Sequence, residues 1–129
     1  MKKFPFEFEG RELHLRKLDL DTKNDLLDRI IAGRLKQAQR MFKKGYLSAV
    51  EYIDAKEGAY VKWGTESFVK EFADDENAKA FVRAILIEDV DDATCLRLVK
   101  EQRNKESEMA LAIDRMREDD DPKVQTPPG

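Results

Sequence analysis

One histidine and one cysteine, His14 and Cys95, are the only side chains in this sequence able to supply imidazole or thiol chemistry. His14 stands between Leu13 and Leu15 in an alternating stretch, which turns it away from the apolar face of a strand. General base work or metal ligation there would need partners from elsewhere, and no residue has ligand spacing to it. Cys95 shares a helical stretch with Leu96 and Leu98 and has no histidine near it in sequence, so it is read as a small buried residue. A single cysteine can neither close an internal disulfide nor build a thiolate cage, which fits a reducing cytoplasm.

The acidic stretch Glu88-Asp89-Val90-Asp91-Asp92 has the oxygen ligands that calcium prefers. It lacks the glycine and the closing glutamate of a calcium loop, so it reads as a solvated helix junction with capping aspartates. Asp119-Asp120-Asp121 is read the same way. Gly33, Gly45, Gly58 and Gly64 are scattered singly, and none opens a phosphate-cradling strand-to-helix turn. No catalytic residue, cofactor site or metal site is therefore assigned, and the chain is expected to be a binding protein and not an enzyme.

Two groups of side chains remain as interaction candidates. Phe4, Phe6 and Phe8 alternate along the first strand, and Tyr46, Tyr52, Tyr60 and Trp63 gather around a later helix, where a core role is the default but aromatic interface anchors are also expected. Arg34, Lys36, Arg40, Lys43 and Lys44 give the end of one helix a basic character. Cations suit a helix C-terminus, so a solvated face is expected there and phosphate contact is the lesser reading. The net charge of -3 and pI near 5.3 likewise disfavour sequence-independent nucleic-acid binding.

The elements that must carry these residues follow from local patterns. Alternation over Phe4 to Phe8 and Leu13 to Leu15 predicts a hairpin over about residues 3–16, with Pro5 implying an edge strand. A two-residue turn at Glu9-Gly10 would oppose Glu7 to Glu12, so a four-residue loop from Glu9 to Glu12 is preferred. The hairpin's apolar face must be covered by helices or by a partner, and its open edge suggests self-association. A cap at Asp21-Thr22 opens a long helix ending at Gly45, with a possible break at Gly33. Ser48 and Glu51 form a capping box for a second helix running to Trp63-Gly64. A short helix follows from Thr65, then one bearing Ala78, Phe81, Val82, Ile85 and Leu86. Asp91 or Asp92 caps another around Leu96 and Val99, and a last helix bears Met109, Ala112, Ile113 and Met116, joined to it near Asn104.

This predicts a mainly α, overall α+β fold: an N-terminal hairpin packed on a bundle of about five amphipathic helices. Residues 1–118 are expected to form a single domain and residues 119–129 a disordered acidic, proline-containing tail. No stretch approaches the roughly 20 apolar residues of a membrane span, and the start lacks a signal-peptide core, so a soluble, unprocessed cytoplasmic protein is expected.

The hairpin, the phrase Arg16-Lys17-Leu18-Asp19-Leu20 and the helix from Asp21 to Ile30 together resemble the opening of tail assembly chaperones from long-tailed bacteriophages. The family's phrase often carries proline and threonine where this chain has Lys17 and Asp19, and the likeness covers about the first thirty residues. The resemblance implies a non-enzymatic viral factor that binds the tape measure protein and tail tube subunits in the host cytoplasm. The alternative from the residues alone is a small cytoplasmic adaptor or regulatory protein, binding another protein or, less favoured, nucleic acid.

Overall fold

The computed structural model describes residues 2–120 and shows a two-stranded antiparallel hairpin, β1 (Lys3–Phe8) and β2 (Arg11–Arg16), followed by helices. The helices are α1 (Leu20–Lys43), α2 (Ala49–Gly58), α3 (Glu66–Lys70), α4 (Asp75–Ile85), α5 (Asp92–Arg103) and α6 (Glu108–Asp120), with a 3-10 turn over Glu71–Ala73. The mainly α, α+β class read from the sequence holds, with six α-helices among the described residues. Two compact units are distinguished among the described residues, one of residues 2–18 and 78–120, the other Asp19–Asn77.

The first unit contains the hairpin and the main hydrophobic cluster. Phe4, Phe6 and Phe8 share one face of β1, and Leu13 and Leu15 share the matching face of β2. These five side chains are buried among Val82, Ile85, Leu98, Val99, Met109 and Ile113, so helices of the same chain cover the hairpin. The outer edge of β2 is engaged beyond β1: Leu15 bridges Leu86, and the Ile87 N–H donates to the His14 carbonyl at 2.9 Å. Pro5 lies in β1 at the sheet's other edge, where its carbonyl accepts from Arg115 at 3.1 Å.

The hairpin register corrects the sequence expectation. Phe8 pairs with Arg11 and Phe6 with Leu13, so the connection is the two-residue turn Glu9-Gly10 and not the four-residue loop. Glu9 and Gly10 both have positive φ, 49° and 78°, the signature of a type I′ turn whose twist matches that of the strands. The opposed Glu7 and Glu12 that argued against this register are both exposed, where water screens their repulsion. Glu12 also lies 3.3 Å from His14 Nε2. Turn geometry therefore outweighs a weak surface repulsion.

Helix ends follow capping chemistry with some shifts. The Asp19 carboxylate accepts from the Thr22 N–H at 2.7 Å, so α1 is capped by Asp19 and not by Asp21-Thr22, and Leu20 is helical. Gly33 does not interrupt α1, which runs unbroken for 24 residues to a C-cap at Lys44, with Gly45 at φ 80°. Ser48 and Glu51 form the expected capping box of α2. That helix ends at Gly58, short of Trp63-Gly64, and the chain leaves it through a turn closed by the Val61 N–H on the Ala59 carbonyl. Asn104 caps α5 and separates it from α6.

The expected tail boundary at residue 119 is also corrected, because α6 continues to Asp120. Acidic residues are unfavourable at a helix C-terminus, but the Asp119 carboxylate is held by Lys2 at 2.6 Å and Lys17 at 2.5 Å. The remainder of that expected tail, residues 121–129, lies outside the described residues.

Candidate functional site

Each chemically suggestive side chain has a structural position. The Glu88 carboxylate receives the His14 backbone N–H at 2.8 Å and His14 Nδ1 at 2.7 Å. His14 is thus half-buried and engaged with a residue distant in sequence, where an exposed strand histidine without partners was expected. Partial burial acts to raise the Glu88 carboxyl, but hydrogen bonds from the His14 side chain and backbone outweigh it and hold the group below its ordinary range. Cys95 is fully buried with Sγ 3.7 Å from the Lys79 carbonyl, and burial pushes its thiol up, which suits an inert core residue.

The acidic junction serves as a cap. Asp91 accepts from the Thr94 N–H at 2.7 Å, and this hydrogen bonding holds its carboxyl below the usual range. Asp92 lies 3.1 Å from Lys79. Among the described residues, no group of three or more His, Cys, Asp or Glu side chains is arranged to hold a metal ion. No helix among them is long and apolar enough to cross a membrane.

The seven aromatic candidates separate into three fates. Phe4, Phe6 and Phe8 are spent in the core of the first unit and offer no surface. Tyr52 is half-buried and stacks on Phe42, ring centroids 4.4 Å apart and planes 14° from parallel, which fastens α2 to the end of α1. Trp63 packs at 4.5 Å from Phe68, with the Lys23 ammonium 5.8 Å from its ring centroid. Tyr46 and Tyr60 point into solvent at 69% and 64% exposure, against the default expectation of core packing.

These two tyrosines are part of a wider pattern that the sequence did not single out. Leu20, Val50, Ile53 and Val69 are also well exposed, and Phe42 and Trp63 partly so. Of the nine large hydrophobic side chains exposed among the described residues, eight belong to Asp19–Asn77, and the ninth is Leu111. Buried apolar side chains in that unit are few: Leu26, Ile30, Ala38, Ala59 and Phe68. Besides these and the aromatic contacts, its helices are held by capping and by polar ties. Arg34, expected on a solvated basic face, reaches the Glu71 carboxylate at 2.7 Å and the Gly58 carbonyl at 3.1 Å. Lys36, Arg40, Lys43 and Lys44 remain exposed.

Large apolar side chains left exposed on α1, α2, α3 and the segments that join them gain by leaving water when a partner covers them. The signal available in sequence was α2 itself, whose apolar residues do not fall on one face and so cannot all be buried against α1. Compared with known proteins, the chain matches no family model, no curated protein and no solved structure.

Proposed function

We propose that this chain is a non-enzymatic protein-binding factor that receives apolar helical segments of a client on the helices of Asp19–Asn77. In its narrower form the reading is a tail assembly chaperone of a long-tailed bacteriophage, keeping the tape measure protein soluble in the host cytoplasm and passing it to tail tube subunits. The observation that carries the reading is the concentration of exposed apolar side chains in that one unit. A long helical client with apolar stripes would be covered by such side chains in the helix-on-groove manner, while the charged remainder of the surface keeps the complex in solution. The narrower form rests on the resemblance of the first thirty residues.

Co-expression with the tape measure protein of the same phage tests it. The expected result is that the tape measure protein moves from the insoluble to the soluble fraction and copurifies, and that Tyr60→Asp with Val69→Asp abolishes this while leaving melting unchanged. A tape measure protein that stays insoluble beside abundant, folded chain overturns the narrower form. Unchanged copurification with the double variant overturns the assignment of the surface.

A further inference from the structure

The outer face of α2 carries Val50, Ile53, Asp54 and Glu57, at spacings of three, four and seven residues that place them in one stripe, and all four are exposed. Tyr52, which stacks on Phe42, turns the opposite side of α2 toward α1. The outer face of α1 carries Lys36, Arg40 and Lys43, at spacings of four and seven residues, again all exposed. Phe42 marks the side of α1 that meets α2, so this stripe also points away from its neighbour. Other charges of the same unit find partners, as in Arg34 with Glu71 and Lys70 with Glu66. Lys36, Arg40, Lys43, Asp54 and Glu57 make no ion pair among the described residues.

The chain therefore displays a cationic stripe on α1 and, on α2, a stripe of the same length, each about 10 Å at the α-helical rise, whose first half is apolar and second half carboxylate; the two face away from each other and do not neutralise one another within one copy. We propose that they do so between copies: the α2 stripe of one chain docks on the α1 stripe of a second. The carboxylates of Asp54 and Glu57 meet the cations of Arg40, Lys43 and Lys36. The aliphatic stems of those cations cover Val50 and Ile53, which otherwise stand in water. Because the two stripes are different surfaces, the contact is heterologous and leaves a free stripe at each end, so copies add head to tail. Its ionic character makes it weak and sensitive to salt. The contact takes Val50 and Ile53 from the exposed apolar set proposed above for the client, and its test is separate because the client variants are at Tyr60 and Val69.

Sedimentation velocity of the full chain over a concentration series, at low and at high salt, tests it. The expected result is a mean mass that rises with concentration and falls with salt. Arg40→Glu with Lys43→Glu, and separately Asp54→Lys with Glu57→Lys, should each weaken association by about tenfold or more. An equimolar mixture of the two double variants should regain it, because each reversed stripe then faces a reversed complement. All four positions are exposed, and circular dichroism checks that each variant is folded; Val50→Ser with Ile53→Ser gives a second, charge-neutral disruption. A chain that stays monomeric at every concentration overturns the proposal. So does association that survives both reversals, a mixture that fails to recover it, or a cationic stripe whose only effect is salt-sensitive binding of duplex DNA.

Discussion

Glu88 accepts two hydrogen bonds from one residue, the backbone N–H of His14 at 2.8 Å and its ring Nδ1 at 2.7 Å, across 74 positions of sequence. A carboxylate only accepts, so Nδ1 carries the hydrogen and the ring is fixed in one orientation. The pair clamps the segment after α4 to β2, beside the Ile87 N–H on the His14 carbonyl.

Replacing Glu88 by Gln should therefore lower stability by about 1–3 kcal/mol, the cost of losing a charged acceptor for partly buried donors. The pH dependence has a definite sign. A carboxyl whose pKa is depressed on folding adds stability above the ordinary glutamate value of about 4.3, and that stability is lost as pH falls through the lower folded value. Urea denaturation of parent and Glu88→Gln should show curves that converge below about pH 4; a difference that persists undiminished into acid would contradict the clamp.

Gly10 and Gly33 should respond in opposite directions to alanine. Neither has any atom within 4 Å of the position a Cβ would take, so crowding decides nothing at either place. Gly10 holds φ 78° in the turn, where a side chain costs about 1–2 kcal/mol. Gly33 is inside α1, where alanine should add about 0.5–1 kcal/mol. Thermal melts of Gly10→Ala and Gly33→Ala read both signs at once.

Leu13 has no exposed surface and stands opposite Phe6 in the hairpin. Leu13→Ala should cost about 2–5 kcal/mol and lower the midpoint of unfolding of the first unit. A loss under about 1 kcal/mol would show that the apolar face of the hairpin is not packed as described.

The Ser48 hydroxyl accepts from the Glu51 N–H at 3.1 Å, and the Glu51 carboxylate accepts from the Ser48 N–H at 2.9 Å. Ser48→Ala should destabilise α2 by about 1 kcal/mol. Amide hydrogen exchange is the readout, with faster exchange expected across Ala49–Gly58 and no change in Leu98 or Val99.

The parts of the fold legible in the sequence are those set by strictly local rules. The Phe4-Phe6-Phe8 alternation, the Ser48 capping box, the Thr65 cap and the end of α1 before Gly45 are each decided within a few residues. The hairpin register is not legible from the strands alone because two local rules disagree there, and turn geometry prevails over a screened repulsion between Glu7 and Glu12. The engagement of His14 was invisible because its partner Glu88 arrives through tertiary packing. The exposed apolar set was half legible: aromatic type marked Tyr46 and Tyr60, while their exposure, and that of Val50 and Ile53, depends on how few helices cover them.

Among the described residues, 2–18 belong with 78–120, and the unit between them is contiguous in sequence. The hairpin therefore leaves the ribosome before the helices that will cover it. At ordinary translation speeds the intervening stretch takes roughly 3–12 s to synthesise, while a hairpin closes in microseconds. Throughout that interval Phe4, Phe6 and Phe8 line a sheet that is too small to be stable by itself. The nascent chain thus passes through a state in which the phenylalanine face of its hairpin is uncovered. Slowing translation within the codons for residues 19–77 should raise the fraction lost to aggregation, whereas joining the hairpin to the far end by circular permutation should lower it.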